Sequence, residues 1–67
     1  MLRIQLNGKA HEVPDDATIA DLLQQLQINA RYCAVERNHE LVPREQHSEC
    51  PVREGDSIEV VTLVGGG

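Results

Sequence analysis

The sequence holds no tryptophan and no phenylalanine, and Tyr32 is its only aromatic residue. A single domain of 67 residues must then fill its core with Leu, Ile and Val. It sits near the lower size limit for folding without disulfide or metal staples. So small a core leaves little room for an enzyme's buried pocket. Basic residues are also few: six Lys and Arg, with Lys9 the sole lysine, stand against eleven Asp and Glu, for a net charge of −5. That balance argues against nucleic acid and anionic membrane surfaces as partners, and leans toward a basic protein partner. Apolar runs extend only a few residues, which excludes a transmembrane helix. The opening Met1–Leu6 alternates apolar and polar residues and lacks the continuous apolar stretch of a signal peptide, so a cytoplasmic location is expected. Cysteine occurs twice, at Cys33 and Cys50. Far apart and outside any C-x-x-C, the two are expected as reduced thiols, at least one of them buried.

Self-contained catalytic chemistry is missing too. The only glycine cluster is terminal, with no following helix to hold a phosphate. Ser48 and Ser57 lie in no nucleophile-elbow setting. His11, His39 and His47 share no metal-ligand spacing and read as surface residues, so no metal site is expected. Cys50 lies near His47, but no third group orients the pair. Asp15-Asp16 reads as a polar turn. No cofactor-binding residue emerges.

The local patterns are clearer. Leu2, Ile4 and Leu6 alternate with Arg3, Gln5 and Asn7, the period of a half-buried strand. Asn7-Gly8 is a strong hairpin signal, because both central positions of a type I′ turn need positive φ. Lys9–Val13 is the returning strand, closed by Pro14. Thr18 reads as a helix N-cap with Asp21 three residues on. Ile19, Leu22, Leu23 and Leu26 then form one apolar stripe of a helix expected to stop near Ile28, at Asn29. Tyr32–Glu36 reads as a third, central strand. A turn at Arg37–Glu40 leads to a short strand at Leu41-Val42, ended by Pro43. Arg44–Pro51 shows no steady period and is expected to be irregular or 3₁₀. A turn at Gly55-Asp56 precedes a last strand, Ser57–Val64. The element order implies an α+β domain, with one helix on one face of a mixed sheet of four to five strands. First and last strands are expected side by side in the middle, as in a β-grasp. If Ile58, Val60 and Val64 face the core, Val61 and Leu63 face solvent, which suggests a docking patch.

Past that strand the chain ends in Gly65-Gly66-Gly67. Residues 1–64 are expected as the folded domain and 65–67 as a slim, flexible tail reaching about 10 Å, from about 3.3–3.6 Å per extended residue. Such a tail presents one reactive group, the Gly67 α-carboxylate. A carboxylate is a poor electrophile until it is adenylated, and then a sulfur, nitrogen or oxygen nucleophile can take the acyl group. This chain has no ATP site of its own. It is expected to be a substrate carried between partners.

The opening Ile4-Gln5-Leu6-Asn7-Gly8, the helix entry Ala17-Thr18-Ile19-Ala20-Asp21-Leu22-Leu23, Leu41-Val42-Pro43-Arg44, Glu54-Gly55-Asp56, and Glu59-Val60-Val61-Thr62 running into Val64-Gly65-Gly66-Gly67 together resemble the ThiS family of thiamin-biosynthesis sulfur carriers, over the whole chain. The resemblance implies a ubiquitin-like β-grasp fold. It also implies adenylation of Gly67 by a ThiF-like adenylyltransferase that uses ATP, conversion to a thiocarboxylate with sulfur from a persulfide donor acting through partners, and sulfur donation to a ThiG-like thiazole synthase. Gly67 would bear the sulfur, Gly66 would give access, and Gly65 and Val64 would extend the tail. His39 departs from the pattern, standing after Asn38 where a glycine is usual. Three alternatives stay open: a molybdopterin-synthase small subunit or similar carrier, a modifier that conjugates to lysines, and a plain binding module.

Overall fold

The computed structural model describes residues 1–63. The expectations for Val64, Gly65, Gly66 and Gly67, including the inward orientation of Val64 and the boundary at residue 64, lie outside the described residues. Five strands, β1 (Leu2–Leu6), β2 (Lys9–Val13), β3 (Cys33–Arg37), β4 (Glu40–Val42) and β5 (Ser57–Thr62), form one sheet in the order β2-β1-β5-β3-β4. β1 and β5 lie side by side and parallel, and every other pairing is antiparallel. This is the ubiquitin-like β-grasp arrangement, with first and last strands adjacent. The helix α1 (Ile19–Gln25) packs on one face. The side chains of Ile4, Val13, Ile19, Leu22, Val35 and Ile58 are fully buried between the layers. Aliphatic side chains make this core, joined by Cys33.

Local chemistry accounts for the boundaries. Thr18 accepts from the Asp21 N–H, and the Asp21 carboxylate accepts from the Thr18 N–H, a capping box that satisfies two otherwise orphaned donors. The helix stops at Gln25, earlier than the apolar stripe suggests. Gln27 adopts φ 60°, Ile28 N donates to Leu23 O at 2.9 Å, and Gln27 N donates to Gln24 O at 3.0 Å. This bond pair is a Schellman motif with glutamine where glycine is usual. Leu26 becomes the C-cap but still packs on the core. No glycine or proline marks this stop, so periodicity overran it.

Both tight hairpins have left-handed central residues: Asn7 and Gly8 at φ 51° and 83°, Asn38 and His39 at φ 53° and 71°. The second is therefore a type I′-like turn despite its missing glycine, with His39 held in a region that L-residues rarely occupy. Arg44–Glu49 forms a six-residue 3₁₀ helix against α1. Three residues per turn place His47 and Cys50 on its inner side. His47 is thereby only 4% exposed, which corrects the surface reading. Its Nε2 lies 3.1 Å from the Val42 carbonyl. Its buried Nδ1 has no partner among the described residues.

Candidate functional site

β5 delivers the chain toward Val64–Gly67, and its setting decides what it can present. Ile58 and Val60 are buried while Val61 and Leu63 are 59% and 55% exposed, the alternation expected of them. The strand pairs on both sides, with β1 and with β3. Leu63 N continues the β3 ladder one step further, donating to Tyr32 O at 2.6 Å.

Two side-chain networks brace this strand. At its start, the Asp56 carboxylate accepts from Arg37 Nε at 2.8 Å, Arg53 N at 2.8 Å and Asn38 Nδ2 at 3.1 Å. Asn38 also locks the backbone of Ser57: its Oδ1 accepts from Ser57 N at 2.9 Å, and its own N donates to Ser57 O at 2.7 Å. Burial pushes the Asp56 carboxyl up. The hydrogen bonds from Arg37, Arg53 and Asn38, with the Arg37 charge, outweigh it and hold the group below the ordinary carboxylate value. The Arg37 guanidinium is correspondingly held more firmly protonated, chiefly by its bond to Asp56. Midway along the strand, Asn7 uses its side-chain amide as a short piece of β-ladder. Its Oδ1 accepts from Val60 N at 2.8 Å, and its Nδ2 donates to Val60 O at 3.3 Å. Asn7 thus serves the first turn and the last strand at once.

Among the described residues, the remaining polar groups assemble no reaction centre. Cys33 is buried, Cys50 is partly buried, and both are free. Burial pushes the Cys33 thiol up, away from reactivity. His11 bonds Gln25 at 2.9 Å, tying the hairpin to the helix. Among the described residues no three His, Cys, Asp or Glu side chains are grouped as metal ligands. No helix there is long and apolar enough to cross a membrane. A cleft of about 410 Å³ lies between α1 and the 3₁₀ segment, lined by Leu23, Ile28, Arg44, His47 and Ser48 among others. His47 Nε2 is taken by the Val42 carbonyl, and no hydrogen bond joins Ser48 to the ring. What the described fold offers is a braced strand, two exposed aliphatics at its end, and a chain continuing beyond.

A small β-grasp domain whose last strand leads into a glycine run defines a class of ubiquitin-like domain. The family model described as the ThiS family matches residues 4–67. The chain is 42% identical over 65 residues to the sulfur carrier protein ThiS of Bacillus subtilis, covering 96% of this chain and 98% of that one. It superposes on the crystal structure of the thiamine biosynthesis protein (ThiS) from Geobacter metallireducens with a TM-score of 0.84 and 32% identity, over 98% of this chain and 100% of that one. It is also 35% identical over 66 residues to a thiazole synthase of Paramagnetospirillum magneticum. There it spans 98% of its own length but only 20% of the relative's. The chain belongs to the ThiS family.

Proposed function

We propose that this protein is a sulfur carrier of thiamin biosynthesis, a protein co-substrate and not an enzyme, with Gly67 as the reacting residue. The observation that carries the reading is a family match running through the glycine end to residue 67, on a fold whose last strand is braced on both sides. The Gly67 carboxylate attacks the α-phosphorus of ATP on a ThiF-like adenylyltransferase, and pyrophosphate leaves. The terminal sulfur of a partner's persulfide then attacks the acyl carbonyl and displaces AMP, and a second partner thiol cleaves the resulting acyl disulfide, leaving a thiocarboxylate on Gly67 and a disulfide on the partners. A ThiG-like thiazole synthase accepts that sulfur. The chain itself holds no cofactor in this scheme, since ATP is bound by the partner. Gly66, lacking a Cβ, lets the end enter a narrow slot, while Gly65 and Val64 give it reach. Val61 and Leu63 are the contact residues nearest the reacting end. The thiazole-synthase relative, which carries a segment like this chain over a fifth of its length, supports that protein as acceptor.

The test is the intact mass of the protein after incubation with ATP, a sulfur source and the adenylyltransferase of the same organism. A gain equal to one oxygen replaced by sulfur, mapped to Gly67 and absent when Gly67 is deleted, is expected. No change with an enzyme shown to be active would leave a plain binding module. A covalent adduct with another protein would indicate a modifier. A sulfur gain without transfer to thiazole synthase would favour a molybdopterin-type carrier.

A further inference from the structure

The cleft between α1 and the 3₁₀ helix is assembled from two kinds of surface. Its apolar part is Leu23 and Ile28, with Ala20 and Ala30 beside them. Its polar part comes largely from the 3₁₀ helix, where Arg44 and His47 stand three residues apart and so share one edge. Its volume of about 410 Å³ falls within the roughly 300–1,000 Å³ of small-molecule sites. In a chain with eleven Asp and Glu against six Lys and Arg, this lining holds an arginine and no carboxylate. Among the described residues Arg44 is in no ion pair. His47 adds a second unsatisfied group. The Val42 carbonyl can only accept, so Nε2 carries the hydrogen between them. In the neutral ring Nδ1 is then a bare acceptor, shut off from water and without a donor among the described residues. Such a group costs free energy until a hydrogen reaches it. No hydrogen bond among the described residues joins Arg44–Glu49 to α1. The two elements meet by packing alone and can part a little to admit a donor.

We propose that this cleft binds a short α-hydroxy acid with an apolar chain. The carboxylate pairs with Arg44, whose planar guanidinium suits bidentate oxygen acceptors. The hydroxyl donates to His47 Nδ1 and supplies the missing hydrogen. The carbon chain lies on Leu23 and Ile28 and removes apolar surface from water. An ammonium in place of the hydroxyl would carry a second charge to a buried nitrogen, and a plain fatty acid would leave Nδ1 without its donor, so both fit less well. A site whose buried polar atom needs one group discriminates most strongly against ligands that lack it. The cleft is built on α1 and the 3₁₀ helix and not on β5, and the proposal stands whether or not the chain carries sulfur.

The experiment is an NMR titration of the isotope-labelled protein with α-hydroxyisovalerate at about pH 8, where an ordinary imidazole is neutral. Isovalerate, which lacks the hydroxyl, and isobutanol, which lacks the carboxylate, are the matched probes. The hydroxy acid should bind with a Kd of about 1–10 mM, the range open to so few atoms. It should shift the backbone amides of Leu23, Ile28 and residues 44–48, which border the cleft. Isovalerate should bind about fivefold and isobutanol about tenfold more weakly. The imidazole spectrum of His47 should show the hydrogen on Nε2, with the Nδ1 resonance moved by the hydroxy acid and unmoved by isovalerate. Arg44→Gln should weaken the hydroxy acid about tenfold and leave isobutanol unchanged. Ala20→Leu, which fills the cleft from α1, should abolish binding in a domain that stays folded. Should that variant unfold, Arg44→Gln still decides, since Arg44 is exposed. Equal affinity for the three probes, or shifts scattered over the surface, would reduce the cleft to ordinary apolar surface and overturn the proposal. No shift at about 50 mM hydroxy acid, or an Nδ1 resonance that stays put while the acid binds, overturns it as well.

Discussion

Replacing Asp56 with alanine should be the most damaging single change to a polar side chain of this domain. The carboxylate is 8% exposed and accepts three hydrogen bonds, one of them from a guanidinium that is 30% exposed. A hydrogen bond to a charged group contributes about 1.5–3 kcal/mol, and a buried charge left without its partner costs about 3–5 kcal/mol. The three bonds share one acceptor and do not add. Arg37 can turn partly to water, and Asn38 keeps its bonds to Ser57. A loss of about 2–4 kcal/mol follows. A domain of 67 residues has roughly 3–10 kcal/mol in total. Since about 1 kcal/mol moves the melting temperature of so small a domain by about 4–8 °C, the variant should melt at least about 8 °C lower. The assay is urea unfolding followed by circular dichroism at several pH values. The folded Asp56 carboxyl lies below its unfolded value near 3.8, so its contribution is fully present above pH of about 4 and fades as pH falls through the folded value. The gap between wild type and variant should hold constant from pH 5 to 8 and close only in acid, to the extent that carboxylate charge carries it. Asp15→Ala, which removes an ion pair whose side chains are 57% and 77% exposed, should leave the midpoint unmoved. A loss below about 1 kcal/mol at pH 7, or a gap unchanged down to pH 2, would refute the reasoning.

The remaining predictions concern turns and surface. His39→Gly should raise stability by about 0.5–1 kcal/mol in thermal melts, because glycine relieves the strain at φ 71°. Gln27→Gly should do the same at φ 60° at the helix end, by a similar amount. A loss in either would show that the side chain makes a contact worth more than its strain. Asn7→Ala should cost about 1–3 kcal/mol, since it leaves Val60 N and O without their partners; unfolding of the alanine variant at the wild-type urea midpoint would contradict the clamp. Leu63→Glu should weaken binding to the adenylating partner at least tenfold with the fold intact by circular dichroism. Unchanged binding would return Leu63 to ordinary exposed surface.

The strands and the helix were legible because their determinants are local and repeated. Period-2 alternation, Asn7-Gly8, and a capped apolar stripe each predict their element alone; the adjacency of β1 and β5 came from element order, and their parallel sense from the structure. Tyr32, read as the start of the third strand, instead ends a 3₁₀ turn, Ala30–Tyr32, ahead of β3, and two larger features escaped. The end of α1 depends on hydrogen bonds to backbone carbonyls, which any residue can make at some cost in strain. Gln27 therefore gives no sign in a scan for glycine or asparagine. His47 escaped for a different reason: without an assigned 3₁₀ period, Arg44–Pro51 had no inner face, and a histidine with no face reads as surface. The burial of Leu23, which lines the cleft beside that same segment, could not have revealed it, since helix stripes look alike whatever covers them.

The outward residues of β5 were legible and the two networks that hold them there were not. Alternation alone places Val61 and Leu63 in solvent, but it says nothing about how firmly. Asn7 and Asp56 lie about fifty residues apart in sequence, and each carries an obvious local role, one in a turn and one beside Gly55. Their second roles are non-local, an amide standing in for β-ladder at Val60 and a carboxylate collecting three donors at the entry to β5. Both bind the strand from opposite sides of its path. On the sulfur-carrier reading proposed above, the end is the part offered to partners, and a fixed root serves that use. The residues spent on fixing the root are those whose sequence signal was already explained by something nearer.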